Sequence, residues 1–93
     1  MATKDLTIEQ ALSSPMNVYL YARDVVGGRF PEGEAVIAQD SQWAYMYAVY
    51  VIKRRWPKCE PAIFQDHELA SSYYRWFKDQ FTEREKVLWL LKI

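Results

Sequence analysis

The chain offers few side chains that could act as nucleophile, base or metal ligand. Its 93 residues include one histidine, His67, and one cysteine, Cys59. A hydrolytic site needs a nucleophile, a base and an orienting acid, and a zinc site needs several Cys or His residues at short spacings. The sequence contains neither arrangement. We therefore expect no catalytic residue, no metal site and no cofactor, and we interpret His67 as a surface residue in the first turn of a helix.

Cys59 allows two interpretations. It lies early in a short predicted helix, where the positive end of the helix could lower the pKa of a thiol. The sequence around it contains no second cysteine and no base, so a thiol that is simply packed or exposed is the favoured alternative.

Arginine and glutamate recur at a fixed spacing. The stretch Arg29-Phe30-Pro31-Glu32-Gly33-Glu34 returns 26 positions later as Arg55-Trp56-Pro57-Lys58-Cys59-Glu60. We call residues 29–34 the first corner and residues 55–60 the second corner. In each corner the guanidinium could form a forked hydrogen bond with the glutamate and fix the angle between two helices. A ligand-binding or catalytic role is the alternative, but a role that is repeated with the fold usually belongs to the fold.

The similarity extends beyond the two corners. When residues 18–40 are laid over residues 44–66, ten of 23 positions are identical: Tyr19/Tyr45, Tyr21/Tyr47, Ala22/Ala48, Val25/Val51, Arg29/Arg55, Pro31/Pro57, Glu34/Glu60, Ile37/Ile63, Gln39/Gln65 and Asp40/Asp66. A fixed period of this length is typical of stacked-repeat architectures.

Helix start signals alternate with apolar stripes along the chain. Thr7, Ser14, Asp40 (or its neighbour Ser41), Asp66 and Thr82 are good N-cap residues, and Pro15 and Pro31 suit the first helical turn. The pattern predicts an all-α protein with about six to seven alternating short and long helices, packed as antiparallel pairs or as a compact right-angled bundle. We expect one helical-repeat domain over residues 1–93, with repeat copies at about 16–40 and 41–66 and degenerate terminal units at 7–14 and 67–93.

The apolar spacing also predicts which side chains face the core. On the first long helix we expect an inward stripe that includes Val25 and Val26. On the third long helix, the buried side is expected to include Leu69, Ala70, Tyr73, Tyr74, Trp76 and Phe77. The last helix carries Val87, Leu88, Trp89, Leu90, Leu91 and Ile93.

Composition limits the class of protein. Apolar residues make up 51% of the chain, which is too many for a disordered segment. The net charge is zero, whereas proteins that live on nucleic-acid phosphates usually carry a basic excess. No apolar run reaches the length of about 20 residues that spans a membrane, and the N-terminus does not follow the order of a signal peptide. We therefore expect a cytoplasmic protein without membrane contact.

The spacing shared by the two corners resembles that of a known repeat. The pattern Tyr-Ala-x-x-Val-[Val/Ile]-x-x-Arg-[Phe/Trp]-Pro-x-x-Glu-x-x-Ile-x-x-Asp is similar to a short helical repeat of small and multi-repeat proteins encoded by bacteriophages, and the resemblance covers about residues 16–80. It implies a phage protein in the host cytoplasm. Small phage proteins often bind and inhibit or redirect a host protein, such as a defence system in the manner of anti-CRISPR proteins. That role is an expectation by analogy.

Positions that differ between the copies indicate where such a protein specialises. The second copy adds an aromatic residue and a basic run. The candidate partner surface is made of Met46, Val49, Tyr50, Lys53 and Arg54 from this copy, together with Trp76 from the terminal unit. The alternative is that the central helix is covered on two sides, so that its apolar residues are core. A homodimer through exposed rings also remains open. An RNA or single-stranded DNA binder is the second functional hypothesis, because cations alternate with rings around Trp56 and Trp76.

Overall fold

The helices begin where side chains satisfy free backbone amides. A computed structural model describes residues 5–93. The side chains of Thr7, Ser14, Asp40, Asp66 and Thr82 each accept a hydrogen bond from the amide three residues later. At Thr7 and Thr82 the reciprocal bond is also present, which completes a capping box. The predicted N-caps are therefore confirmed.

Within the described residues the chain is helical and contains no strand, which confirms the all-α prediction. The helices alternate in length, and the longer ones continue into π or 3₁₀ turns. They are α1 (Ile8–Ala11), α2 (Pro15–Tyr21, continued by a π turn at Ala22–Val26), α3 (Pro31–Ile37), α4 (Ser41–Met46, continued by a π turn at Tyr47–Ile52), a 3₁₀ turn at Pro57–Cys59, α5 (Glu60–Ile63), α6 (His67–Phe77), a 3₁₀ turn at Lys78–Gln80, and α7 (Glu83–Lys92).

The π turns change which residues of the first long helix face the core. Gly27 donates its amide hydrogen to the carbonyl of Ala22, five residues earlier, at 2.8 Å. A π turn holds more residues than an α turn, so the apolar stripe drawn at α-helical spacing leaves the core after Ala22. Val25 and Val26 are 40% and 48% exposed, and their prediction as inward residues is wrong.

The first two long helices, α2 and α4 with their π turns, both end in the left-handed backbone region. Gly27 has φ +75°, as expected for a residue that ends a helix without strain. Lys53 occupies the corresponding place after α4 with φ +64°, and it is the one non-glycine residue at positive φ within residues 5–93. Two successive corners therefore leave their helices by the same backbone geometry, although only one of them uses glycine.

The core lies along the contacts between successive helices. Helix α2 packs on α3 and α4, α4 packs on α5 and α6, and α5 packs on α6. The described part of the chain is elongated, with principal extents of 44 × 21 × 18 Å. The largest fully buried side chains include Tyr47, Tyr73 and Phe30. The helices therefore form an all-α bundle, and the 26-residue repeat architecture stays a prediction.

Candidate functional site

The first corner is closed by three side chains around one buried carboxylate. Arg29 Nε and Nη2 lie 2.8 Å from Glu34 Oε2 and Oε1, which is a forked ion pair. The Tyr47 hydroxyl donates to Glu34 Oε2 at 2.9 Å and accepts the Phe30 amide hydrogen at 2.8 Å. One phenol of α4 thus holds both the glutamate of α3 and the backbone that precedes it.

The second corner has the same connections between residues 26 positions further on. Arg55 Nε and Nη2 lie 2.7 and 3.0 Å from Glu60 Oε2 and Oε1. The Tyr73 hydroxyl donates to Glu60 Oε2 at 2.8 Å and accepts the Trp56 amide hydrogen at 2.8 Å. The sequence analysis paired the arginines and glutamates and matched Tyr21 with Tyr47, but it gave the tyrosine hydroxyls no role in the corners and did not extend the match to Tyr73. The signal was available, because Tyr21, Tyr47 and Tyr73 themselves recur at 26-residue spacing.

The buried network fixes the protonation of its members. Burial opposes ionisation of Glu34, but hydrogen bonds from Arg29 and Tyr47 outweigh it and hold the pKa of this carboxyl below its usual value. Burial raises the pKa of Tyr47 to about 12, and burial together with the bond to Glu60 raises the pKa of Tyr73 above its usual value. Both phenols are therefore protonated at neutral pH and act as donors to the carboxylates.

The two corners differ in what lies on the outer edge of the arginine. Arg55 Nη1 and Nη2 bond Glu85 Oε1 and Oε2 at 2.9 and 2.8 Å, and the Phe81 ring centroid lies 4.0 Å from the guanidinium carbon. Gln80 Oε1 accepts the Arg55 amide hydrogen at 2.8 Å. The start of α7 therefore covers this arginine. The Arg55 side chain is 15% exposed, whereas that of Arg29 is 45% exposed.

Two buried positions that touch each other change in size in opposite directions between the two corners. A Cβ placed on Gly33 would lie 2.7 Å from Val18 Cγ1 and 3.0 Å from a Phe30 ring carbon, so the first corner needs glycine. Twenty-six positions later the same two places hold Ala44 and Cys59, both fully buried. The smaller alanine stands in for valine where the larger cysteine stands in for glycine.

The environment of Cys59 favours a packed, unreactive thiol. Its side chain is buried, and its Sγ lies 3.1 Å from the Trp56 carbonyl oxygen. Burial first, and the neighbouring Glu60 second, raise the pKa of the thiol to about 12. The thiolate that would act as a nucleophile is therefore scarce at neutral pH.

The residues of the predicted partner surface do not share one environment. Tyr50 is 53% exposed, and Lys53 and Arg54 are also exposed. Val49 is only 7% exposed and belongs to the core, and Met46 is half-buried against it. Val49 is therefore corrected from candidate surface to core, because the π turn of α4 directs it inward.

Trp76 lies on the outer side of α6. It is 57% exposed, and its Nε1 donates to the Tyr45 hydroxyl at 2.9 Å. Its placement among the buried residues of α6 is wrong, since Tyr73 and Phe77 occupy that side. Trp76 and Tyr50 line two separate shallow grooves, of about 250 and 210 Å³.

Helix α7 presents an apolar surface to solvent. The sequence analysis placed these apolar residues on the last helix but did not predict that they would be exposed. Only Trp89 is buried on this helix, where it stacks on Tyr73 at 5.4 Å and lies 4.0 Å from the Phe64 ring. Four large aliphatic side chains remain exposed by 51–78%, and we call them the α7 patch: Val87, Leu88, Leu90 and Leu91. Apolar residues on most of a helix's circumference cannot all face one core, which was the missed signal.

Other surface features are less specific. A groove of about 510 Å³ lies between α3 and α5 and is lined by small and amide side chains together with Lys58: Ala35, Ala38, Gln39, Pro61, Ala62 and Gln65. His67 is exposed in the first turn of α6.

Over residues 5–93, no group of three or more acidic, Cys or His side chains is arranged to hold a metal ion. None of the described helices is long and apolar enough to cross a membrane.

Comparisons of the chain with protein families, curated proteins and solved structures gave no match. Functional inference therefore rests on the geometry of the corners and of the exposed surfaces.

Proposed function

We propose that this chain is a non-catalytic protein-interaction module, encoded by a phage, that binds and inhibits or redirects a protein of the host cytoplasm. The observation that carries the proposal is the α7 patch, in which four aliphatic side chains of one helix are each more than half exposed. Single exposed apolar residues are ordinary on a protein surface. A contiguous group on one helix is typical of a binding surface.

The α7 patch is held by a rigid base. Trp89 anchors α7 in a cluster of rings that includes Phe64, Tyr73 and Phe81. The ion pair between Arg55 and Glu85 ties the first turn of α7 to the second corner. A partner that docks on α7 would therefore meet a preformed surface, which reduces the entropy lost on binding.

The surroundings of the α7 patch favour a protein as its occupant. Charges of both signs border the four aliphatic residues, with Glu83 and Lys86 paired at 3.2 Å and Arg84 and Lys92 exposed. An apolar centre with a mixed polar rim is the usual composition of a protein interface. Helices that lie on membranes instead carry a strongly basic polar face.

The geometry gives less support to the nucleic-acid alternative. In the basic run around Trp56, Arg55 is neutralised by two carboxylates and Trp56 is buried. Neither can therefore contact a phosphate or stack on a base. Around Trp56 a basic nucleic-acid surface would depend on Lys53, Arg54 and Lys58. Around Trp76 the ring is exposed together with Arg75 and Lys78, so this second cluster is the remaining support for the alternative, in a chain whose net charge is zero.

The experiment is affinity capture from a bacterial lysate, with the double variant Leu90→Gln/Leu91→Gln compared with the wild type. The matched control is Val25→Gln/Val26→Gln, which changes two exposed aliphatic residues on α2. We expect a specific host protein to be retained by the wild type and the control and lost by the α7 variant, with circular dichroism showing that all three are folded. Tyr50→Ala tests the surface predicted on α4 in the same assay.

Light scattering decides between a host partner and self-association. If the wild type is a dimer that the α7 variant converts to a monomer, the α7 patch is a contact between copies, and the host-protein proposal loses its support. If binding to single-stranded RNA falls steeply with salt and needs Lys53 and Arg54, the nucleic-acid alternative is favoured instead.

A further inference from the structure

We propose that the outer edge of Arg29 is a recognition site for a carboxylate side chain of the partner protein, an inference that rests on the proposed binding function. Arg29 and Arg55 occupy equivalent places in the two corners, 26 residues apart. One has both of its donor edges filled by carboxylates, and the other has one edge open.

Arg55 shows what the complete arrangement contains. Its Nε–Nη2 edge binds Glu60 within its own corner, and its Nη1–Nη2 edge binds both oxygens of Glu85 from the first turn of α7. A guanidinium has five N–H donors in a rigid fork, so two carboxylates can bind it side by side.

Arg29 contains only the first half of this arrangement. Its Nε–Nη2 edge binds Glu34 with both distances at 2.8 Å. Its Nη1 has no hydrogen-bond acceptor within residues 5–93, and the side chain is 45% exposed. The outer edge is thus accessible to a group that belongs to another molecule.

The open edge of Arg29 is held in a fixed direction. Glu34 is 7% exposed and is itself bonded by the buried hydroxyl of Tyr47, so the carboxylate cannot follow the arginine into solvent. A surface arginine normally loses considerable rotamer entropy when it binds a carboxylate. At Arg29 most of that entropy is already lost in the folded protein, so this edge should donate to a carboxylate more favourably than a free arginine does.

The charge around each arginine agrees with the number of its donor edges that a carboxylate fills. Arg55 faces two carboxylates, whereas Arg29 faces one, and Lys58 also acts electrostatically on Glu34. A second carboxylate at Arg29 would therefore meet positive charge that the first corner does not itself neutralise. The filled edge of Arg55 identifies the matching group as a glutamate or aspartate side chain rather than a phosphate.

Arginine Nη–Hη resonances can test the open edge directly in the intact protein, because this edge is formed by Nη1 and Nη2, whereas Nε is bonded to Glu34. Sodium acetate serves as the probe and is titrated against sodium chloride at constant ionic strength. We expect the Arg29 resonance to shift along a saturating curve with acetate, several-fold more than that of exposed Arg84, while the Arg55 resonance stays unchanged. In the variant Glu85→Gln the outer edge of Arg55 loses its carboxylate, and we expect Arg55 to respond to acetate as Arg29 does.

The proposal is overturned if Arg29 and Arg84 respond equally, or if Arg55 stays silent in a folded Glu85→Gln variant. A larger response of Arg29 to inorganic phosphate than to acetate would also overturn it, in favour of a phosphate ligand. These readouts need no partner protein. A negative result therefore removes the carboxylate site while leaving capture through the α7 patch to be judged by its own experiment.

Discussion

Replacing Tyr73 with phenylalanine removes one oxygen atom from the second corner and tests what that atom contributes. The hydroxyl accepts the Trp56 amide hydrogen and donates to Glu60 Oε2, both at 2.8 Å, in a site where Tyr73 is fully buried. Phenylalanine fills the same space without the oxygen. The variant therefore leaves a backbone donor without its partner and a buried carboxylate with one donor fewer.

The size of the effect follows from these two losses. An unsatisfied buried donor costs about 1–3 kcal/mol, and a hydrogen bond to a charged group contributes about 1.5–3 kcal/mol. Allowing for relaxation, we expect Tyr73→Phe to lower the free energy of unfolding by about 2–4 kcal/mol. A domain of this length has a total of about 5–14 kcal/mol. The midpoint of thermal unfolding should therefore fall by about 10–25 °C.

The assay is urea unfolding followed by far-ultraviolet circular dichroism, with Tyr50→Phe as the matched control. The Tyr50 ring is 53% exposed, so loss of its hydroxyl should change the free energy of unfolding by less than about 0.5 kcal/mol. Tyr47→Phe should cost as much as Tyr73→Phe to within about 1 kcal/mol, because its hydroxyl makes the same two bonds. If Tyr73→Phe is as mild as the control, the hydroxyl does not hold the corner and the reasoning is refuted.

Three further predictions address packing, the thiol and pH. Gly33→Ala should lower the free energy of unfolding by about 1–3 kcal/mol, because the added methyl group overpacks against Val18. Adding Val18→Ala should recover part of that loss in urea unfolding. If the losses of the two single variants simply add in the double variant, the prediction is contradicted. Cys59 should react with a thiol reagent only when the protein is denatured, and rapid native labelling would disprove its burial. The pKa of Glu85 is lowered to about 2 by Arg55 first and by the Thr82 amide second. The free energy of unfolding of the wild type should therefore exceed that of Glu85→Gln by an amount that is constant above about pH 5 and vanishes towards pH 2. A difference that does not change with pH would refute this prediction.

Local signals in the sequence predicted much of the fold. N-cap side chains act within one helical turn, so Asp40, Asp66 and Thr82 mark helix starts that the structure confirms. The arginine and glutamate of each corner are five residues apart, and their ion pair could be proposed from that spacing alone. Short-range chemistry of this kind can be read without knowing where the rest of the chain lies.

Contacts between distant residues could not be read in the same way. Tyr47 reaches back 17 residues to the Phe30 amide, and Arg55 reaches forward 30 residues to Glu85. Both depend on how whole helices are stacked, which the spacing of residues within one helix does not specify.

The exposure of Val25 shows a second limit. The exposure of this side chain depends on a π turn. The buried stripe was predicted from the 3.6-residue period of an α-helix, which does not apply in a π turn. The prediction of the candidate partner surface was wrong at Val49 for the same reason. Val49 lies in the corresponding π turn of α4 and is buried in the core.

Amide hydrogen exchange at Phe30 and Trp56 is the most direct test of the central claim, that one buried tyrosine hydroxyl closes each corner. These amides precede short helices and have no backbone acceptor among residues 5–93, so their protection depends on Tyr47 and Tyr73. We predict that both exchange slowly in the native protein, and that Tyr73→Phe accelerates exchange at Trp56 far more than at Phe30. Exchange of either amide in the wild type at the rate of an exposed loop would contradict the account.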